Sequence, residues 1–317
     1  MARDPGRPDA YDPALQISLR TRVEGGALRI PAESIGRPDT LARRECLVLV
    51  HGFNQTDGQA ARGYHGFRER QDATFSPAPG ALDARLADAY WPGDAAWWWV
   101  FDHADFLVYP RAVETAIDAA PPLAALVRQL PNLVRVDFIA HSLGCRLVLE
   151  TMRLLHAAGS PHIGRVCLMA PAVPSEFLEY PERYYDLLTA LEDAGTEIRV
   201  LHSLRDGVLH WAFPPGQALA GEASVRALGR HGPTPGMPGW GGRLTEREIV
   251  PAGHGDYWGH SGSDASKIAT EDAGMFLRLG DYSRELAMPR DRAAPATAVS
   301  PREVGSKRQG EPGRIVT

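Results

Sequence analysis

DFIAHSLGCRLVLETM, residues 137–152, changes character at a single point. Up to Ala140 it is apolar and reads as a strand. From Leu143 onward the spacing is helical, with Cys145, Val148 and Met152 on one face. His141, Ser142 and Gly144 stand at the junction. A strand that turns abruptly into a helix holds the turn residue above the sheet edge, at the crevice beyond the strand's carboxyl end. A serine there projects its hydroxyl into the crevice, and the helix N-terminus behind it offers unpaired N–H groups and a positive dipole end. An anion forming beside Ser142 would meet donors already aimed at it. So tight a turn needs small neighbours: Ala140 lies two places before Ser142 and Gly144 two places after.

The rest of the chain sets the frame for that turn. Its 317 residues can bury a sizeable core, and 44% hydrophobic with 23% charged residues is the balance of a soluble globular protein. A net charge of −5 from 34 basic and 39 acidic side chains argues against nucleic acid or an anionic membrane surface as a partner. Cys46, Cys145 and Cys167 all lie in or beside apolar runs, which predicts small buried hydrophobes in a reducing compartment and no disulfide. MARDPGRPDAYDP at the N-terminus lacks the apolar core of a signal peptide, and no stretch approaches the roughly 18 apolar residues of a membrane span. The chain therefore reads as soluble and cytoplasmic, with no membrane span.

Residues 1–15 read as a loose segment, and 15–31 as a hairpin turning at Gly25-Gly26. The run ECLVLVHGFNQT (45–56) has five consecutive apolar residues ending in His-Gly, the pattern of a strand covered on both faces. Helical spacing follows over 57–73, a strand over 86–94, and a helix over 111–130 that Pro121-Pro122 divides. After the quoted segment come a strand at 163–173, a helix at 181–194 and a strand at 196–206 that leads to Asp206. Residues 213–242 hold 13 Gly or Pro in 30 positions and are expected to be a loop or flap. A short strand, REIVP (247–251), precedes AGHGDYWGH, and a last helix is expected over 266–279. The tail 288–317 has the composition of a disordered segment, which leaves 16–287 as one domain. Alternating strands and helices without a fixed repeat predict an α/β fold: a mainly parallel twisted sheet with helices on both faces.

AHSLG at 140–144 resembles the nucleophile elbow of the α/β-hydrolase superfamily, G-x-S-x-G, with Ala140 in place of the first glycine. LVLVHGFN (47–54) is similar to the strand and His-Gly segment that supplies the other half of the oxyanion hole in esterases and lipases of that family. The resemblance spans roughly residues 45–280 and implies a single-domain α/β-hydrolase fold. It further implies Ser142 as nucleophile and the N–H groups of Phe53 and Leu143 as the oxyanion hole. The implied chain order of the remaining residues is acid, then histidine, each after a strand.

A serine hydroxyl needs a base to take its proton, and a histidine base needs a carboxylate to hold its tautomer. Asp206 is the first acid after the strand at 196–206. Asp193 lies within a helical pattern, and Glu197 opens the strand at the wrong end. Asp206-Gly207 is also a common turn pair, so a structural Asp206 stays open. For the base, His254 lies three residues beyond REIVP, with His260 as the rival six residues on. His202 and His210 precede the last strand, and strand alternation turns His141 to the opposite face from Ser142.

His254, Asp256 and His260 are acceptable metal ligands, but no further cluster of matching spacing accompanies them, so no metal is expected. No phosphate-loop or dinucleotide motif occurs, and no cofactor is implied. Trp97, Trp98 and Trp99, with Trp91 and Phe101, suit core or lid packing or the lining of an acyl pocket. The reading is a serine hydrolase acting on a carboxylic ester or related acyl bond of a small molecule. The alternatives are a catalytically inactive scaffold of the same fold used for binding or regulation, and an acyltransferase or thioesterase using the same residues.

Overall fold

A run of five apolar residues suits a strand covered on both faces, and Cys46 to Val50 are buried throughout with a strand paired on either side. The computed structural model describes residues 11–20, 33–36, 43–75, 82–83, 85–93, 105–222, 226–234 and 244–281. The buried run belongs to β3 (Glu45–Val50). It is preceded by β1 (Leu15–Ser18) and β2 (Glu33–Gly36), and followed by α1 (Asp57–Phe75) and β4 (Leu86–Tyr90). Then come α2 (Asp105–Asp118), α3 (Ala120–Gln129), β5 (Arg135–His141), α4 (Gly144–Ala158) and β6 (His162–Met169). The chain continues with α5 (Tyr185–Asp193) and β7 (Glu197–His202). Three short helices follow: α6 (Gly207–Trp211), α7 (Phe213–Leu219) and α8 (Leu228–His231). The last described elements are β8 (Leu244–Glu248) and α9 (Asp264–Phe276).

The described strands form one sheet in the order β2-β1-β4-β3-β5-β6-β7-β8, parallel except for the β1–β2 pair. From β3 the chain steps outward to β4, then returns past β3 to β5 and continues the other way through β6, β7 and β8. Right-handed crossovers in opposite directions place α1 on one face and α2 to α5 on the other. In keeping with this, α9 packs against α1, where Gln71 donates to the Thr270 carbonyl at 2.7 Å. On the other face the Tyr184 hydroxyl donates to Glu150 of α4 at 2.8 Å. The direction reverses between β3 and β5, and the crevice beyond their carboxyl ends is the place where such sheets bind ligands. This α/β architecture, a mainly parallel sheet with helices on both faces, is the one expected from the sequence. The three cysteines are buried and free. No helix among the described residues is long and apolar enough to cross a membrane.

Several boundaries differ from expectation. The hairpin pairing is antiparallel, but its second strand begins at Glu33, beyond the expected end at residue 31; Gly25-Gly26 lies outside the described residues. The helix expected over 111–130 starts at Asp105 and divides at Ala119, with prolines opening α3. The strand read as REIVP is Leu244–Glu248 instead. It is an edge strand with polar, exposed residues, and so lacks the apolar signal that drew the reading to Ile249 and Val250. Residues 213–242 are not all loop. Phe213–Leu219 is helical because Pro214 and Pro215 sit in its first turn, where a missing N–H does no harm, and Leu228–His231 adds a helical turn. Residues 223–225 and 235–243, the tail 288–317, Phe101 and Trp97 to Trp99 lie outside the described residues.

Asp137 ties three parts of the sheet together from a fully buried position. It accepts from Arg85 at 2.7 Å, from Arg135 at 2.9 Å and from the Arg165 amide at 2.7 Å. Removing the carboxylate strands the buried Arg85 guanidinium and a backbone donor. Asp137→Ala is expected to lower unfolding free energy in urea by about 3–5 kcal/mol. A loss below about 1 kcal/mol, the range of exposed pairs, would show that Arg85 finds solvent or Glu45 instead.

Candidate active site

The turns after β3 and β5 face each other across the crevice. Ser142 has φ 54°, a left-handed conformation that a non-glycine residue holds only at some strain. Its amide donates to the Met169 carbonyl at 3.0 Å, and its own carbonyl accepts from Cys145 and Ala172, both at 3.1 Å. The strain is thus held on both sides by β6, the segment after it and the first turn of α4. Gly144 is required by contact, since a Cβ there would run into the His51 carbonyl oxygen. Gly52 is equally constrained: a Cβ would lie 2.9 Å from the Ser142 Cβ and 2.9 Å from His141 Nδ1.

Asp206 ends the segment after β7 as the N-cap of α6, accepting from the Leu209 amide at 2.9 Å. That bond uses one carboxylate oxygen. The other lies 2.7 Å from His254 Nδ1, and His254 Nε2 lies 2.9 Å from the Ser142 hydroxyl. Asp206 is fully buried, whereas the His254 side chain keeps 17% exposure on the cavity side. A carboxylate only accepts, so Nδ1 carries the proton and Nε2 is left to accept from the serine. The structure therefore brings Ser142, Asp206 and His254 into one hydrogen-bonded chain.

The loop that carries His254 is held by Asp256, which accepts from the Gly253 amide at 2.9 Å, from Ser261 at 2.9 Å and from Ser263 at 3.0 Å. Tyr257 and Trp258 are buried, with the Trp258 ring edge-on to Tyr64 at 5.2 Å. His260 is exposed and lies over α1, where a Cβ at Gly66 would come within 2.7 Å of its Cβ. The other rivals are also elsewhere. His202 faces Glu246 at 3.7 Å, the His210 ring packs on Trp211 at 4.3 Å, and Glu197 pairs with Arg165 at 2.8 Å. Asp193 closes α5.

His51 locks the turn after β3. Its Nδ1–H donates to the Gly52 carbonyl at 2.8 Å, and Nε2 accepts from the Trp91 amide at 3.2 Å. Trp91 is a core residue, stacked on His51 at 5.7 Å with its indole N–H on the His51 carbonyl at 2.8 Å. Among the described residues the amides of Phe53 and Leu143 have no hydrogen-bond acceptor. Phe53 borders the cavity, and Leu143 is a buried side chain at the N-cap of α4.

The cavity beside Ser142 measures about 280 Å³. Tyr109 from α2 and Val208, Leu209, Ala212 and Phe213 from the α6–α7 segment form an apolar wall, and Asn54 and Gln55 form a polar one. Asn54 and Gln55 follow closely on the His51-Gly52 segment that the sequence marks, whereas the apolar wall carries no sequence signal, because it is made by helices that meet only in the fold. His141 does not face away from the site as strand alternation implies. Strand alternation stops at the left-handed Ser142, so His141 turns back toward the site, with Nε2 2.7 Å from the His254 carbonyl.

No protein-family model matches the chain, and none of the curated proteins does. Among solved structures it is similar to an esterase of Pyrobaculum calidifontis at 14% identity and TM-score 0.40, with 78% of each chain covered. An esterase of Rhizomucor miehei shows 14% identity and TM-score 0.42 over 89% of this chain and 88% of its own. A thermophilic carboxylesterase cloned from a metagenomic library shows 14% identity and TM-score 0.40 over 78% of this chain and 82% of its own.

Burial, followed by the charge of Arg20, pushes the His51 pKa down to about 3; burial, followed by the charge of His254, does the same to His141. In the unfolded chain a histidine titrates near about 6.5. Below that value the unfolded state binds protons that the folded state refuses, so stability is full above it and falls with pH until the folded pKa is reached. The expected slope is on the order of 1 kcal/mol per pH unit for each histidine between about pH 6.5 and 3. Urea unfolding at several pH values checks this, and His51→Asn should make the acid slope shallower. Equal slopes in both proteins would mean that His51 is not held neutral by the fold.

Proposed function

We propose that the protein is a serine hydrolase of the α/β-hydrolase kind, cleaving a carboxylic ester or a related acyl bond through an acyl-enzyme intermediate. One observation supports this reading above the others: the unbroken hydrogen-bond chain from Asp206 through His254 to Ser142, ending at the wall of a cavity. In this mechanism Ser142 attacks the acyl carbonyl as His254 Nε2 takes its proton. The buried Asp206 carboxylate keeps the proton of His254 on Nδ1 and stabilises the imidazolium that forms. The N–H groups of Phe53 and Leu143 receive the oxyanion, each such donor being worth roughly 100- to 1000-fold in turnover. His254 then protonates the leaving group, and water repeats the cycle to release the acid. Transfer to another acceptor alcohol or thiol would use the same residues in the same order. An inactive scaffold would leave at least one of these roles without a residue, whereas His254 here lies within hydrogen-bonding distance of both the serine and the acid.

A fluorophosphonate probe reads the proposal directly. Ser142 should be labelled in native protein and not in unfolded protein. Ser142→Ala and His254→Ala should lower turnover of an activated short-chain ester by about 10⁴- to 10⁶-fold, and Asp206→Asn by about 10⁴-fold. His260→Ala should change it far less, because His260 lies outside the hydrogen-bonded chain. Retention of more than about a tenth of wild-type turnover by Ser142→Ala, against that expected loss, would overturn the assignment.

A further inference from the structure

The histidine that meets Ser142 arrives from the far edge of the sheet. β8 is separated from β5 by β6 and β7, so the loop after β8 reaches back over two strands. The His254 side chain is held by Asp206. Its main chain, among the described residues, is held at one atom: the carbonyl oxygen, 2.7 Å from His141 Nε2. A carbonyl can only accept, so His141 carries its proton on Nε2 and its Nδ1 is bare. That Nδ1 is buried without a hydrogen-bond partner and lies against Gly52. The ring stands 4.9 Å from the His254 ring and 5.9 Å from that of Tyr257. A single imidazole therefore abuts the turn after β3, precedes Ser142 in the chain and grips the main chain of His254.

We propose that His141 is a positioning residue for the acylation step, setting through its bond to the His254 carbonyl where the His254 imidazole stands over Ser142. This rests on the reading of Ser142 and His254 as nucleophile and base. A ring with a bare, buried Nδ1 and a pKa held down to about 3 stays neutral. It can therefore keep its bond while His254 takes up and returns the serine proton, without placing a second positive charge beside the imidazolium. Displacement of a reacting group by about 1 Å can cost roughly 100-fold in rate, so a single anchor on the base's main chain has a kinetic signature.

His141→Met fills the space without a donor, and His141→Gln returns an N–H near the position of Nε2. With an activated short-chain ester, His141→Met is expected to lower kcat at least about tenfold while KM stays within about twofold, the pattern of a geometric loss. Fluorophosphonate labelling should slow by a similar factor, and His141→Gln should recover kcat to within about threefold of wild type. A Met variant within about twofold of wild-type kcat, or equal losses in Met and Gln variants, overturns the proposal. Should the Met variant fail to fold, NMR of ¹⁵N-histidine-labelled wild-type protein decides. The proposal requires His141 to be the Nε2–H tautomer with a bare Nδ1 at about pH 6, near the unperturbed histidine pKa; an Nδ1–H tautomer or an imidazolium overturns it. An inactive, unlabelled wild-type protein overturns both this and the hydrolase reading. An active wild type with an unaffected Met variant overturns this one alone.

Discussion

The close approach of two turns governs this molecule. Parallel strands β3 and β5 run side by side, and Val50, the last residue of β3, lies opposite Ala140, one residue before the end of β5. The chain must leave each strand without colliding with the other, and the side chains that would collide are those at positions 52 and 144. Glycine at both places lets the His51 carbonyl pass over the start of α4 and lets Gly52 lie against Ser142. The left-handed Ser142 follows from the same crowding, since the chain has one residue in which to change from strand to helix. The amides of Phe53 and Leu143 come from the two turns so joined, one from each.

Around that contact, anchoring is distributed unevenly. The turn after β3 is stapled by His51 and Trp91, whose rings stack and where Trp91 donates twice, its amide to His51 Nε2 and its indole N–H to the His51 carbonyl. The turn after β5 is held by carbonyls and amides of β6 and of the segment that follows it. Among the described residues the loop after β8 has no neighbouring strand on its outer side, and it depends on buried aromatic rings, on Asp256 and on the contacts of His254 with His141 and Asp206. Burial of neutral histidines on both inner turns adds an acid sensitivity that a core of aliphatic residues would not have.

What could be read in the sequence follows the same division. β3, β5 and β6 were legible because buried parallel strands are continuous apolar runs, and α4 because Cys145, Val148 and Met152 repeat at helical spacing. Ser142 stood out at the boundary between two periodicities. Asp206 and His254 are singled out only by position after late strands, an order implied by resemblance. β8 was displaced because an edge strand reading LTERE has little apolar content to betray it. The helices inside 213–242 were hidden by prolines that open one of them. The cavity wall and the His141 contact were illegible for a different reason: they depend on packing between segments that are distant in sequence, and alternation fails at a residue with positive φ.

Asp206 is shared between two structures, because the carboxylate that faces His254 also caps α6. The cap is made to the Leu209 amide, a main-chain group, while the Leu209 side chain faces the cavity with Val208 and Ala212. The acid is thus indifferent to which side chains occupy those positions, provided the helical turn persists. Val208 is exposed and can change size without touching that bond, whereas Leu209 is also part of the core. Chamber size and reactive geometry are therefore separable variables in this fold, open to independent drift or to deliberate redesign.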